Sequence, residues 1–493
     1  MKQTIMKALA LVFALALFAV ACGSDSDGDA VDSAVDTSTD AGDGNEDAMD
    51  DDDAMDEGAM DEDAMDDEGA MADGEAVTIE YWLWDGNQQP VYEQCAANFT
   101  AENPNINVNI TQFGWGDYWD GVTAGFASGS GPDVFTDHLA RYPEFVSSGV
   151  LTPLNDLIER DGVDTTQYFP GLAELWVDGE GNRYGLPKDF DTIALVANAD
   201  LLSDAGVSVD DLSDLDWNPD DGGSFGAMVQ QLTIDANGVR GNEDGFDSEN
   251  VAVHGLGLEG AFGAFGQTTF SSLAASTGFQ MLDVNPFGDS ANYDDPNLAA
   301  TIQWYADWID AGYIVAIEDV ESLGGTTVFQ NGSAAMMMDG SWKIGTYIGP
   351  ENPFPVEFAP VPVGPSGQRA SMFNGLADSI NAASENQEEA WQWVKYLGSP
   401  ACQDVMGEAA VVFPAIPSAA ETAIATRADA GVDVSAFTTH VDDGTTFLFA
   451  ITDSASQIEA IAGPAMQEIL RGQATAAERL AQVDQEVDAL LGR

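Results

Sequence analysis

Tyr184-Gly185-Leu186-Pro187-Lys188-Asp189-Phe190-Asp191-Thr192-Ile193-Ala194-Leu195-Val196-Ala197-Asn198 sets how the rest of the chain is laid out. Pro187 fixes its own φ and pushes Leu186 away from helical geometry, so the chain arrives extended. Polar residues predict a turn, and the apolar run from Ile193 predicts a second strand. Asp189 and Asp191 then sit next to a strand end, where ligands collect in open α/β sheets. The stretch reads as a crossover between two lobes, with both aspartates at the mouth of a cleft. It also fits an ordinary surface turn with solvated aspartates.

Upstream of this body lie two segments that do not read as fold. Lys2 and Lys7 precede an apolar run from Ala8 to Val20, too short and wrongly flanked for a spanning helix. It ends in Ala19-Val20-Ala21-Cys22 before Gly23-Ser24, which resembles a bacterial lipoprotein signal with Cys22 as the acylated residue, although Ala19 stands where leucine is more usual. A plain secretory signal is the alternative, and either one predicts export. Residues 23–75 contain 23 Asp and Glu, no Lys, Arg or aromatic residue, and Ala-Met-Asp triplets at Ala48, Ala54, Ala59 and Ala64. Such a segment cannot bury enough apolar surface to offset its ordering entropy, so a disordered, extended tether is expected. Its spacing lacks the glycine and distal glutamate of a calcium loop.

The remaining 418 residues exceed one ordinary core, so two lobes are expected. They hold 62 acidic and 12 basic residues out of a whole-chain net charge of -71. Nothing could neutralise phosphates, which excludes nucleic acid as a partner and disfavours anionic ligands. The excess suits a soluble, self-repelling protein of a saline setting.

Val77, Ile79, Tyr81 and Leu83 alternate with Thr78, Glu80, Trp82 and Trp84, which predicts a strand running into Asp85. Pro90 opens a helix with Val91, Cys95 and Phe99 on one face, and Ile106, Val108 and Ile110 mark the next strand. A short strand, Val134-Phe135-Thr136, ends at Asp137. This alternation reads as a parallel sheet covered on both faces. Leu298 to Ala311 predicts a helix, Ala334 to Met338 a buried strand ending at Trp342, and the C-terminus a long helical tail.

Eight short runs, in order, carry a family resemblance: Phe99 to Val108, Trp115 to Trp119, Ala127 to Phe135, Tyr184 to Pro187, Gly332 to Met336, Asp339 to Trp342, Asn374 to Ala377 and Trp393 to Leu397. With these the chain resembles the family 1 bacterial extracellular solute-binding proteins, the maltose-binding type that serves ABC sugar importers. The resemblance implies an α/β, two-lobed periplasmic-binding-protein-like fold with a hinge. It places residues 1–22 in the signal and 23–75 in the tether, then 76–186 with 376–416 in the first lobe and 187–375 with 417–493 in the second. It also implies a monomer that carries a neutral sugar or oligosaccharide to an ABC permease, held to the membrane by a lipid anchor, with no cofactor.

A sugar offers flat C–H faces and a rim of hydroxyls, so its site needs aromatic platforms with carboxylate or amide partners. Trp84, Asp85, Asp137, Asp189, Asp191, Trp342 and Asn374 are the candidates; Trp115, Tyr118, Phe262 and Gln267 follow. Core packing is the competing reading for each tryptophan, and a cap or turn for each aspartate. With Cys22 lipidated, Cys95 and Cys402 remain in the first lobe, and a disulfide between them is expected; two free buried thiols are the alternative. The second functional class is a secreted carbohydrate hydrolase with paired carboxylates. No motif singles out such a pair, and His138, His254 and His440 stand isolated, as structural or surface residues.

Overall fold

The computed structural model describes residues 76–260 and 262–492. The expected signal, the lipidation site Cys22 and the acidic tether lie outside the described residues.

Two mixed sheets organise the body. The larger runs in the order β11-β4-β10-β3-β1-β2, built from β1 (Val77–Leu83), β2 (Ile106–Gln112), β3 (Val134–His138), β4 (Leu186–Asp191), β10 (Ser371–Ile380) and β11 (Phe413–Pro414). The short β12 (Thr446–Leu448) adds beside the start of β10. The smaller sheet runs β6-β7-β8-β5-β9, from β5 (Ile193–Asn198), β6 (Ile234–Asp235), β7 (Val251–Gly257), β8 (Ala334–Gly340) and β9 (Val356–Ala359).

The opening alternation behaves as its period requires: Ile79, Tyr81 and Leu83 are buried, and β1 pairs in parallel with β2 from Val77↔Ile106 to Leu83↔Gln112. Helix Gln89–Glu102 has Pro90 in its first turn and buries Val91, Cys95 and Phe99. Its Cys95 Sγ lies 2.13 Å from that of Cys402 on helix Pro400–Ala409, with Cα atoms 5.4 Å apart, which is disulfide geometry. Helix Pro296–Asp310 is capped by Asp295, whose carboxylate accepts from the Asn297 amide, and it buries Ile302, Tyr305 and Ala306 as the spacing predicts.

The expected parallel sheet forms only in part. β1, β2 and β3 are parallel, but β10 enters between β3 and β4 antiparallel to both. A strand arriving from the other lobe needs no helical crossover on this sheet, so nothing constrains it to run parallel.

The decisive stretch also differs from its reading. Lys188 to Asp191 do not turn; they continue β4, every residue of which is buried. Pro187 is tolerated because β11 pairs only with Asp189 and Phe190, leaving Pro187 beyond the paired part of that edge. The crossover is a single residue, Thr192, between the last residue of β4 and the first of β5. Its hydroxyl donates to the Phe437 carbonyl at 2.7 Å, and its carbonyl accepts from the Ser341 amide at 3.0 Å. Beside it, the Ile193 amide donates to Ser371 Oγ at 2.8 Å, so the outgoing and returning connections are pinned together.

The lobe changeovers expected after residues 186 and 375 therefore fall inside β4 and β10, both strands of the larger sheet. The C-terminal segment also divides. Helix Pro417–Asp429 packs on helix Pro400–Ala409 and β11, whereas helices Ala455–Leu470 and Ala476–Leu491 pack on helix Pro296–Asp310.

Candidate ligand cleft

Strands of both sheets end at a shared space of about 530 Å³, within the usual range for a small-molecule pocket. On one wall, Trp84 to Gln88 follow β1, His138 closes β3, Asp191 closes β4, and Asn374 with Leu376 come from β10. On the other, Glu259, Gln267 and Thr268 follow β7, while Trp342 and Lys343 follow β8. Past Trp115 and His138 the cleft runs on into a second space of about 400 Å³ lined by Arg141, Ser456 and Glu459.

Aromatic rings furnish both walls. Trp84 meets Trp115 edge to face at 5.1 Å and lies 5.4 Å from Trp119, while Trp115 itself is 51% exposed. An exposed tryptophan braced by two others offers a rigid apolar face at little entropic cost. Opposite, the Trp342 ring folds over Gly340, where an added Cβ would lie 2.0 Å from it; only glycine permits that approach.

The cleft carboxylates are held in different ways. Asp85 accepts from the Asn87 amide at 2.8 Å and from Gln88 Nε2 at 2.9 Å. Asp191 accepts from Ser341 Oγ at 2.6 Å, a bond between the two sheets' connections. Burial pushes Asp191 up to about 7; the Ser341 hydroxyl opposes this and the Asp85 charge adds to it. Lys343 supplies a cation, its Nζ donating to Thr326 Oγ1 at 3.3 Å.

Of the seven candidates, the structure brings Trp84, Asp85, Asp191, Trp342 and Asn374 together on the cleft. Asp137 and Asp189 are not there. Asp137 is fully buried, accepts from the His138 amide at 2.8 Å, and is pushed up to about 8 by burial. Asp189 lies two residues back from the end of β4, opposite Leu376, with neither carboxylate oxygen partnered; burial first and the Asp191 charge second raise it well above the carboxylate range. In both, burial disfavours the charged form. Of the lesser candidates, Trp115 and Gln267 line the cleft, Tyr118 donates to the Thr136 carbonyl at 2.6 Å, and Phe262 packs against Tyr305. His138 is a lining residue that sequence reasoning set aside, and Glu259 and Lys343 are lining residues it did not single out; the position of His138 at the end of β3 was the available signal.

Among the described residues, hydrogen bonds join the rims at both ends of the cleft. Asn87 Nδ2 donates to Thr346 Oγ1 at 3.2 Å. At the far end Glu144 accepts from the Ser456 amide at 2.5 Å and its hydroxyl at 2.7 Å, and Arg141 also donates to that hydroxyl.

Comparison with known proteins agrees with this architecture. A binding protein of Brucella abortus is 25% identical over 338 residues, covering 66% of this chain and 72% of the relative. A maltooligosaccharide ABC transporter solute-binding lipoprotein of Streptococcus pneumoniae is 25% identical over 300 residues, 58% of this chain and 60% of that one. The fold matches an ABC substrate-binding protein of Listeria monocytogenes in complex with cycloalternan, with a TM-score of 0.72 at 17% identity over 85% of this chain and 100% of that chain. The sequence model of one family, described as bacterial extracellular solute-binding protein, matches residues 94–432. That span takes in all of the smaller sheet and the larger sheet apart from β1 and β12, and by it this chain belongs to the bacterial extracellular solute-binding proteins.

Proposed function

We propose that the chain captures a neutral sugar or oligosaccharide in the interlobe cleft and delivers it to an ABC permease. The observation that carries the reading is the pairing of Trp84 and Trp115 on one wall with Trp342 on the other, around Asp85, Asp191 and Asn374. Rings bind the apolar sugar faces, and carboxylate and amide groups bind the hydroxyls. Trp84, Asp85, Asp191, Trp342 and Asn374 are the proposed ligand contacts. Family membership and a relative named for maltooligosaccharides support it.

Capture proceeds by closure about the Thr192 and Ser371 connections, the closed form being what the permease meets. The protein works exported and lipid-anchored through Cys22, with Cys95 and Cys402 oxidised. It binds without turnover. A thermal-shift screen against mono-, di- and trisaccharides, followed by calorimetry, tests this: the expected result is one-to-one stabilisation by a saccharide recovered intact. Hydrolysis of that saccharide, or no stabilisation by any, refutes it.

A further inference from the structure

His138 and Asn374 pose a question of hydrogen-bond valence that sequence alone does not raise. The Ala140 backbone amide donates to His138 Nδ1 at 3.0 Å. A backbone N–H has no other role, so Nδ1 is an acceptor and carries no proton. His138 is 3% exposed, and rings of Trp115 and Phe449 stand 5.7 and 5.5 Å from its imidazole. Burial lowers the imidazole to about 3, so it is neutral near pH 7 and its single proton rests on Nε2.

Nε2–H needs an acceptor, and the group it meets is the Asn374 amide at 3.0 Å. With Nδ2 at that contact, donor faces donor, and Asn374 Oδ1 is left buried with no partner. The two ends of an amide are nearly identical in shape, so the network decides between them. Turned over, Oδ1 accepts from His138 and the amino group takes the place where no protein donor stands.

Asn374 is the cross-strand partner of Asp191, and both line the cleft. Directly opposite residues of an antiparallel pair present their side chains on the same face. We infer that His138 orients Asn374 so that its amino group stands beside the Asp191 carboxylate, giving the cleft an adjacent donor and acceptor that select a ligand with two neighbouring hydroxyls at this point. This selectivity rests on the saccharide reading; the orientation of the amide does not. Asp191 also accepts from Ser341, which leaves further lone pairs for a ligand hydroxyl. His138 is thus a positioning residue, and Asn374 the contact it aims.

Long-range proton–nitrogen correlation on the ligand-free protein at pH 7 tests the orientation. The His138 pattern is assigned by its loss in His138→Phe, or by elimination in His254→Gln and His440→Gln should that variant fail to fold. The expected pattern is the Nε2–H tautomer; an Nδ1–H tautomer or an imidazolium overturns the inference. The second arm uses maltotriose and lactose. Asn374→Asp, isosteric but without the donor, should bind whichever sugar the wild type binds at least tenfold more weakly, and the Asn374 amino signals should move on titration. Equal binding by that variant overturns the role given to the amino group. Should neither these sugars nor any other in the thermal screen bind, the saccharide reading falls, while the tautomer still rules on the amide.

Discussion

Replacing Glu144 with alanine should loosen the closed form without unfolding either lobe. Helix Ala455–Leu470 begins with Ser454 at its N-cap, and that residue's side chain makes no capping bond. The first amides of a helix lack internal partners, so the Ser456 N–H must be satisfied from outside. Glu144, on helix Tyr142–Ser147, reaches across and does so, accepting from the Ser456 amide at 2.5 Å and its hydroxyl at 2.7 Å. A lost N-cap costs about 0.5–2 kcal/mol, and a carboxylate at a helix N-terminus contributes roughly 0.3–1 kcal/mol. These overlap, so about 1–2 kcal/mol is the expected loss, a factor of roughly 5–30 in the closed-to-open ratio. Water satisfies the same amide when the rims part, so the loss falls on the closed form alone. Calorimetry with the stabilising saccharide should show affinity down by that factor, with the melting temperature of the free protein nearly unchanged. An affinity within twofold of wild type would mean that the Glu144–Ser456 bond does not hold the rims together.

Trp342→Ala should weaken saccharide binding by more than about 1 kcal/mol, the scale of an aromatic contact; unchanged calorimetric affinity would remove Trp342 from the site. Stability should fall as pH rises from about 7 to 8. Burial raises Asp191 and Asp339 to about 7 and Asp137 to about 8, so across this window the folded chain holds more protons than the unfolded one. Each group contributes a slope of up to about 1.4 kcal/mol per pH unit. Carboxylates held low, such as Asp178 and Asp235, finish titrating below this window, and the buried histidines, lowered to about 3 for His138 and about 4 for His440, oppose the trend mainly below the unfolded imidazole value of about 6.5. Urea melts at both pH values should show the acid-side gain, and Asp191→Asn should flatten it; stability that rises with pH would contradict the assignment. Lys188→Met should destabilise the chain by about 3–5 kcal/mol, since breaking a buried pair strands the surviving charge. Lys188 Nζ lies 2.8 Å from Thr136 Oγ1, 3.0 Å from Tyr81 Oη and 3.4 Å from Asp378 Oδ1. Chemical denaturation showing a loss below 1 kcal/mol would mean that Asp378 is already neutral.

The Lys188 cluster also shows where the sequence stops being readable. Val77–Leu83 and Pro296–Asp310 were legible because their burial repeats with the period of the element itself. Lys188-Asp189-Phe190-Asp191 reads as a polar turn under the same logic, yet it is interior strand. What makes it so is Thr136, Tyr81 and Asp378, which lie 52, 107 and 190 residues away along the chain. No local pattern records partners at that distance. The strand-end rule located the cleft, since Trp84, Asp85, Asp191 and Trp342 all follow or close strands that point at it. It could not choose between neighbours. Asp137 and His138 are consecutive, and a strand sends consecutive side chains to opposite faces, so a shift of one residue exchanges ligand contact for buried acid. Which of the two faces the cleft is set by pairing with β10, where Leu376 stands opposite His138 and Ala377 opposite Asp137. β10 comes from more than two hundred residues downstream and runs in the direction that the βα alternation did not predict. The same strand carries Asn374 to His138, so the missed strand direction and the missed histidine have one cause.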